Sequence, residues 1–191
     1  MLGAIAGDII GSIHEGAGTK TKRFPLFGPY NRFTDDTVLT VATAEALLGD
    51  GDYAGAYRRY GRAYPNAGYG GSFYRWLLTD DAGPYSSWGN GAAMRVSPIG
   101  WAFDDQARVL SEARQSAAVT HNHPEGIRGA QATALAIFVV IACAQKTERP
   151  VAARKYKMTT HIPENVLIPD EVETRLGTLK FFDGVPTAET A

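Results

Sequence analysis

The sequence predicts an all-α protein, and three observations predict it. Apolar residues recur with a period near 3.6 in runs at 38–48, 53–64 and 127–142. Helix-opening residues stand directly before such runs: Thr34-Asp35-Asp36, Asp104-Asp105 and Pro124. Nowhere does strict apolar–polar alternation argue for a strand. The chain has 191 residues, 45% hydrophobic and 20% charged, which is enough apolar material for one domain with a real core.

The elements justify themselves in order. Residues 1–13 place Gly3, Gly7 and Gly11 four apart. On a helix they share one face, where another backbone can approach closely. Asp8 lies beside that face, Ser12 and Glu15 follow, and the plain reading of Asp8 and Glu15 is a solvated polar edge. Residues 16–33, rich in glycine, proline and cations, read as a loop. They deliver the chain to Phe33-Thr34-Asp35-Asp36-Thr37. Thr34 suits an N-cap, and Asp35 and Asp36 suit the positive end of the helix dipole. Clustered hard oxygen donors also suit magnesium or calcium, so a cap and a metal site are both open at this point.

After a turn at 49–52, Tyr53, Ala56, Tyr57, Tyr60, Ala63 and Tyr64 recur at helical spacing, a stripe that reads as core and rim packing. Residues 65–71 are loop and lack the strand and glycine pattern of a dinucleotide fingerprint. Residues 86–96 hold small residues around Asn90, flanked by Gly89 and Gly91. Such a loop before a helix start can aim backbone N–H groups at phosphate, with Arg95 as counter-charge and Trp88 as a stacking face. A tight turn with a surface arginine is the competing reading. A proline-marked turn then leads to a helix opened by Asp104-Asp105 and faced by Val109, Leu110 and Ala113. The polar loop Thr120-His121-Asn122-His123 precedes Pro124 and a long apolar helix. His121 and His123 lack a third nitrogen or sulfur donor nearby, which argues against zinc.

Charge and composition exclude several functions. The formal net charge of −1 leaves no basic footprint for nucleic acid or an anionic membrane. The N-terminus lacks a basic leader and contains Asp8, so it is a poor signal peptide. The apolar stretch 132–144 is shorter than a membrane span and reads as a core helix. A cytoplasmic location follows as an expectation. The single cysteine, Cys143, excludes a disulfide within the chain and is expected to be a buried inert thiol.

Taken together, GAIAGDIIGS at 3–12, Glu15, FTDDT at 33–37, SWGNGAAMRVSPIG at 87–100 and THNHPEGIRGAQATALAIF at 120–138 resemble the ADP-ribosylglycohydrolase family in order and spacing. The resemblance implies an orthogonal multi-helix fold, a binuclear Mg2+ centre (Mn2+ in some members), and removal of ADP-ribose from a modified side chain. It implies that Thr34, Asp35 and Asp36 are metal ligands and that Glu15 reaches the metal or the substrate, with Glu15, Asp35 and Asp36 carrying catalysis. It implies further that Ser87, Trp88, Gly89, Asn90, Gly91, Met94, Arg95 and His121 bind the pyrophosphate and ribose of ADP-ribose or an ADP-ribosylated protein.

The chain departs from that pattern at its end. The family closes with an Asp-x-Asp-Thr motif that completes the metal centre, and after His121 this chain has only Asp170 and Asp183. The reading is therefore a partial helical domain at 1–145, a basic linker at 146–157 and an irregular tail at 158–191 that resembles the start of an unrelated uncharacterised bacterial family. A truncated, impaired hydrolase is the leading expectation. A non-catalytic ADP-ribose-binding or structural protein is the rival, and a fragment without function the third possibility.

Overall fold

A computed structural model describes residues 1–16 and 18–147, with side chains through Ala144, and the backbone of three short strands between 171 and 186. The chain divides into two compact units, Met1–Arg149 and Pro150–Ala191. The first is built of helices and loops, with no strand among its described residues. It contains α1 (Leu2–Gly11), α2 (Asp35–Leu48), α3 (Tyr53–Ala63), α4 (Gly71–Leu78), α5 (Ser97–Ala102), α6 (Gln106–Ala118) and α7 (Pro124–Thr147), with one 3₁₀ turn at Asn90–Ala92.

Caps fix where these helices begin. Thr34 caps α2 and accepts the Asp36 N–H at 3.4 Å. Asp52 caps α3 through the Gly55 N–H, and Asp105 caps α6 through the N–H groups of Ala107 and Arg108. Each cap satisfies donors that the first helical turn leaves unpaired. The periodic runs of the sequence thus become α2, α3, α6 and α7, and the glycine-spaced N-terminus becomes α1.

Two cores hold the helices together. Leu39, Ala42, Ala46, Tyr53, Ala56, Tyr57, Phe73, Trp76 and Leu77 bury one face each of α2, α3 and α4. The second core joins α5, α6 and α7 through Val96, Ile99, Val109, Ala113, Ala117, Ala130 and Ala134, and Leu47 packs against both. The tyrosine stripe packs as expected, with Tyr53 and Tyr57 buried. The Tyr57 hydroxyl bonds Thr43 Oγ1 at 3.1 Å and Ser116 Oγ at 2.7 Å, tying α2, α3 and α6 through a dry polar chain. Gly100 allows a close crossing of α5 and α7. A Cβ there would lie 2.6 Å from the Ala134 carbonyl oxygen and 2.8 Å from Ile137.

The structure corrects several expectations. Gly71–Leu78 forms α4, starting at the last residue expected as loop, and the proline-marked turn is itself the short helix α5, with Pro98 in its first turn, where a missing N–H costs nothing. Asp8 is buried, not solvated, while the face of Gly3, Gly7 and Gly11 meets nothing within 4 Å. Cys143 is exposed, because the far half of α7 runs past the second core. Val139 and Val140 there are 47% and 69% exposed, so α7 is a core helix only in its first half. Its segment Pro124–Ala144, 21 residues, contains an 18-residue stretch of mean hydropathy 1.8, long and apolar enough by length and composition to cross a membrane.

α7 extends through Thr147 into the stretch expected as a linker, and the rest of that stretch lies outside the described residues. In the second unit, β1 (Glu171–Thr174), β2 (Gly177–Phe182) and β3 (Val185–Pro186) form an antiparallel meander, where an irregular tail was expected. Glu171 pairs with Lys180, and Phe182 with Val185. Asp170 and Asp183 lie outside the described residues.

Candidate active site

Asp8 organises the acidic end of the site from the opposite side of the chain. The Asp8 carboxylate accepts the Thr34 N–H at 2.8 Å, the Thr34 hydroxyl at 2.6 Å, the Thr37 N–H at 3.1 Å and the Thr37 hydroxyl. These are charge-assisted bonds in a buried setting, stronger than their neutral counterparts. They anchor the exposed α1 to the start of α2. Because Thr34 spends its own hydrogen on Asp8, its oxygen presents only lone pairs to the N-cap and to whatever lies beyond.

Asp35 and Asp36 follow on the first turn of α2, and the Asp35 N–H donates to the Ala67 carbonyl at 2.9 Å. Burial pushes Asp35 up to about 6, with the negative charges of Asp36, Glu15 and Asp8 adding to the rise. Asp36 is raised too, by burial first and then by Asp8 and Glu15. Glu15 itself is exposed, and its negative charge adds to the rise at both aspartates. The loop at 65–70 closes this end. Gly68, at φ 103°, passes Asp35 so closely that a Cβ would sit 3.7 Å from its Oδ1. The Tyr69 hydroxyl is buried without a hydrogen-bond partner, and burial together with the Asp35 charge holds it neutral.

This charge cluster dictates a pH response. A carboxyl that is harder to ionise folded than unfolded stabilises the fold when protonated, and that stability is lost as pH rises. Wild-type stability without divalent cations is therefore expected to fall between pH 3.8 and about 6, the ordinary and folded values for Asp35. Asp35→Asn should flatten that decline in chemical denaturation. Identical pH slopes for the two proteins would exclude a strained carboxylate at this position.

The opposite wall is the loop that precedes α5. Asp35, Leu39, Gly70, Gly71, Ser72, Phe73, Tyr85, Ser87, Gly89, Asn90, Gly91, Met94 and His121 line one cleft of about 280 Å³. Its size is near the lower end for small-molecule sites. The wall is strapped to the loop before α7. Tyr85 N–H donates to the Thr120 carbonyl at 3.2 Å, and the N–H of Ser86, held at φ 55°, donates to Asn122 Oδ1 at 2.7 Å. Gly126 permits the approach, since a Cβ there would stand 2.6 Å from the Ser87 carbonyl. His121 faces Gly91 so closely that a Cβ on Gly91 would lie 3.0 Å from its Nε2. Burial and the charge of Arg95 lower His121 to about 4, so it is neutral at physiological pH.

Of the residues singled out in the sequence, Asp35, Ser87, Gly89, Asn90, Gly91, Met94 and His121 come together in this cleft. Two do not. Trp88 is 74% exposed and lies outside the lining. Arg95 is fully buried, with its guanidinium 4.0 Å from the centre of the Tyr57 ring and bonded to the Ser116 carbonyl and the Thr120 hydroxyl. It is not a surface arginine, and it does not line the cleft. Sequence reasoning also passed over Asp8, Gly68, Ser72, Phe73 and Tyr85. Asp8 acts across 26 positions, and nothing local announces such a partner.

The acidic end fits a hard dication by donor type: carboxylates and a hydroxyl oxygen, with charges left uncompensated by any ion pair among the described residues. The donor count is smaller than a closed site needs. Among the described residues, no three His, Cys, Asp or Glu side chains gather closely enough to hold one ion.

Comparison with known proteins agrees with this geometry. The family model described as ADP-ribosylglycohydrolase matches residues 1–189, a range that includes the C-terminal segment read as foreign. The chain is similar to "ADP-ribosylhydrolase ARH3" of Mus musculus, 25% identical over 98% of this chain and 69% of that protein. It is 24% identical to the Homo sapiens protein of that name over 98% of this chain and 70% of the relative. The Xenopus tropicalis protein is 29% identical over 74% of this chain and 49% of its own length. Depending on the relative, the matched region thus spans from about half to 70% of the longer protein. An acid-lined helix start facing a glycine-rich donor loop, on a helical body matched almost end to end, places the chain in the ADP-ribosylglycohydrolase family of glycosidic-bond hydrolases.

Proposed function

We propose that the chain hydrolyses the glycosidic bond between ADP-ribose and a modified side chain. The observation that carries this reading is the single cleft with Asp35 on one wall and the 87–91 loop with His121 on the other. A substrate with an anionic diphosphate at one end and a reacting sugar carbon at the other matches that polarity. Backbone N–H groups around Gly89 and Gly91 and the neutral His121 ring suit the diphosphate and its ribose. Arg95, which forms no ion pair among the described residues, adds a positive field from behind the wall.

At the acidic end, Thr34, Asp35, Asp36 and Glu15 are the residues that would hold Mg2+ or Mn2+, which when bound supplies Lewis acidity toward the sugar hydroxyls and an attacking water. Asp35, which burial and its acidic neighbours make hard to ionise in the metal-free chain, would be held as a carboxylate by the charge of such an ion. Asp8 keeps Thr34 and Thr37 in place while this happens.

The test combines calorimetric titration of ADP-ribose with an assay of ADP-ribose release from a modified peptide, with and without Mg2+. The double variant Asp35→Asn, Asp36→Asn should lower release by about a hundredfold or more while ADP-ribose still binds. Full activity in that variant would remove the catalytic reading. The small number of gathered acidic donors favours a second reading, a non-catalytic ADP-ribose-binding protein. Binding without release in the wild type, at any Mg2+ concentration, would select it.

A further inference from the structure

Behind the cleft wall lies a hydrogen-bond chain that the catalytic scheme leaves unused. Arg95 Nη2 donates to Thr120 Oγ1 at 2.9 Å, and Thr120 Oγ1 stands 2.8 Å from His121 Nδ1. All three residues are buried. A guanidinium has only donors, so Thr120 must accept from it. The hydroxyl keeps one hydrogen, and the short contact to Nδ1 is where it can be used. Nδ1 is then the acceptor, and the ring hydrogen stands on Nε2, the nitrogen that faces Gly91 and the cleft. The Tyr85 phenol also interacts with the Thr120 side chain.

We propose that Arg95 is a positioning residue that acts through Thr120 to fix His121 as its neutral Nε2–H tautomer, so that the cleft presents a hydrogen-bond donor to an acceptor oxygen of the ligand. The proposal rests on the reading of this cleft as the ADP-ribose site, and it assigns Arg95 a role other than contact with the ligand. The guanidinium is held for that role. Nη2 also donates to the Ser116 carbonyl at 2.8 Å, the plane lies over Tyr57, and Nε and Nη1 have no hydrogen-bond partner among the described residues. The nearby positive charge opposes a second proton on the ring, in keeping with the low His121 value of about 4. A donor at Nε2 suits a phosphate or hydroxyl oxygen, whereas the other tautomer would turn a lone pair toward an already electron-rich ligand.

The experiment is long-range 1H–15N NMR of the histidine rings in the full chain, with His121 assigned by loss of its signals in His121→Asn. The wild type is expected to show a protonated Nε2 and an Nδ1 shifted by an accepted hydrogen bond. Thr120→Val should move Nδ1 to an unbonded position and weaken ADP-ribose binding about tenfold, roughly the loss of one well-placed donor. Thr120→Ser should restore both. Arg95→Met frees the Thr120 lone pair to accept from Nδ1–H, so a second tautomer should appear; should that variant not fold, Thr120→Val cuts the same chain one link nearer. A wild-type His121 protonated at Nδ1, or an Nδ1 signal unmoved by Thr120→Val, would overturn the proposal. The expected tautomer in a protein that fails to bind ADP-ribose would support this assignment and overturn the ligand reading instead.

Discussion

Replacing Asp8 with alanine is expected to destabilise the helical unit by about 3 kcal/mol, the largest effect of any single polar substitution near the cleft. Four donors converge on that carboxylate: the N–H and hydroxyl of Thr34 and of Thr37. Alanine leaves them without an acceptor in a site that is 8% exposed at Asp8 and 4% at Thr34. Asp8→Asn is a milder version of the same insult, since its amide must turn an NH2 toward donors. Urea denaturation reads the loss directly. The positional consequence follows in the same variant, because Thr34 freed from Asp8 no longer fixes where Asp35 and Asp36 start. ADP-ribose release should fall with stability, and a variant within about 0.5 kcal/mol of wild type would show that the convergence contributes little.

The second large effect belongs to Gly100. Gly100→Ala puts a methyl 2.6 Å from the Ala134 carbonyl oxygen and 2.8 Å from Ile137, between α5 and α7. Neither backbone can yield without shifting a helix, so a loss of about 2–3 kcal/mol is expected. Gly129→Ala supplies the contrast on α7. Nothing lies within 4 Å of its added methyl, and removing a glycine from a helix interior should stabilise by about 0.5–1 kcal/mol. Thermal melting of the two variants therefore should move in opposite directions. Two shifts of the same sign would contradict the close crossing.

Local chemistry was legible in the sequence, and long-range chemistry was not. Thr34 as a cap, Asp105 as a cap and Pro124 at a helix start need only neighbours a few residues away, and each stands as read. Helix α4 escaped notice because eight residues give barely two turns of period, and α5 because its proline reads as a break. Met94 and Arg95 show the limit most plainly. They are adjacent, yet one lines the cleft and the other is buried behind it, because successive residues on a helical turn point about 100° apart. A motif can say that both belong near the site, and only packing says which one turns inward. Asp8 was read as a solvated edge for the related reason that its partners begin 26 residues later. The cap geometry at Thr34 is also what sets Asp35 and Asp36 together on the first turn of α2.

The attachment of α1 inverts the usual map of mutational tolerance. Leu2, Ala4 and Ala6 lie open, a Cβ added to any of its three glycines would meet nothing, and Leu2 is 79% exposed, so surface exposure alone would mark much of the helix as freely variable. Yet it contributes the carboxylate on which the acidic end of the cleft is hung. Drift can therefore rewrite nearly every position of this helix while a single one stays frozen, and the least protected element of the unit carries one of its least replaceable atoms.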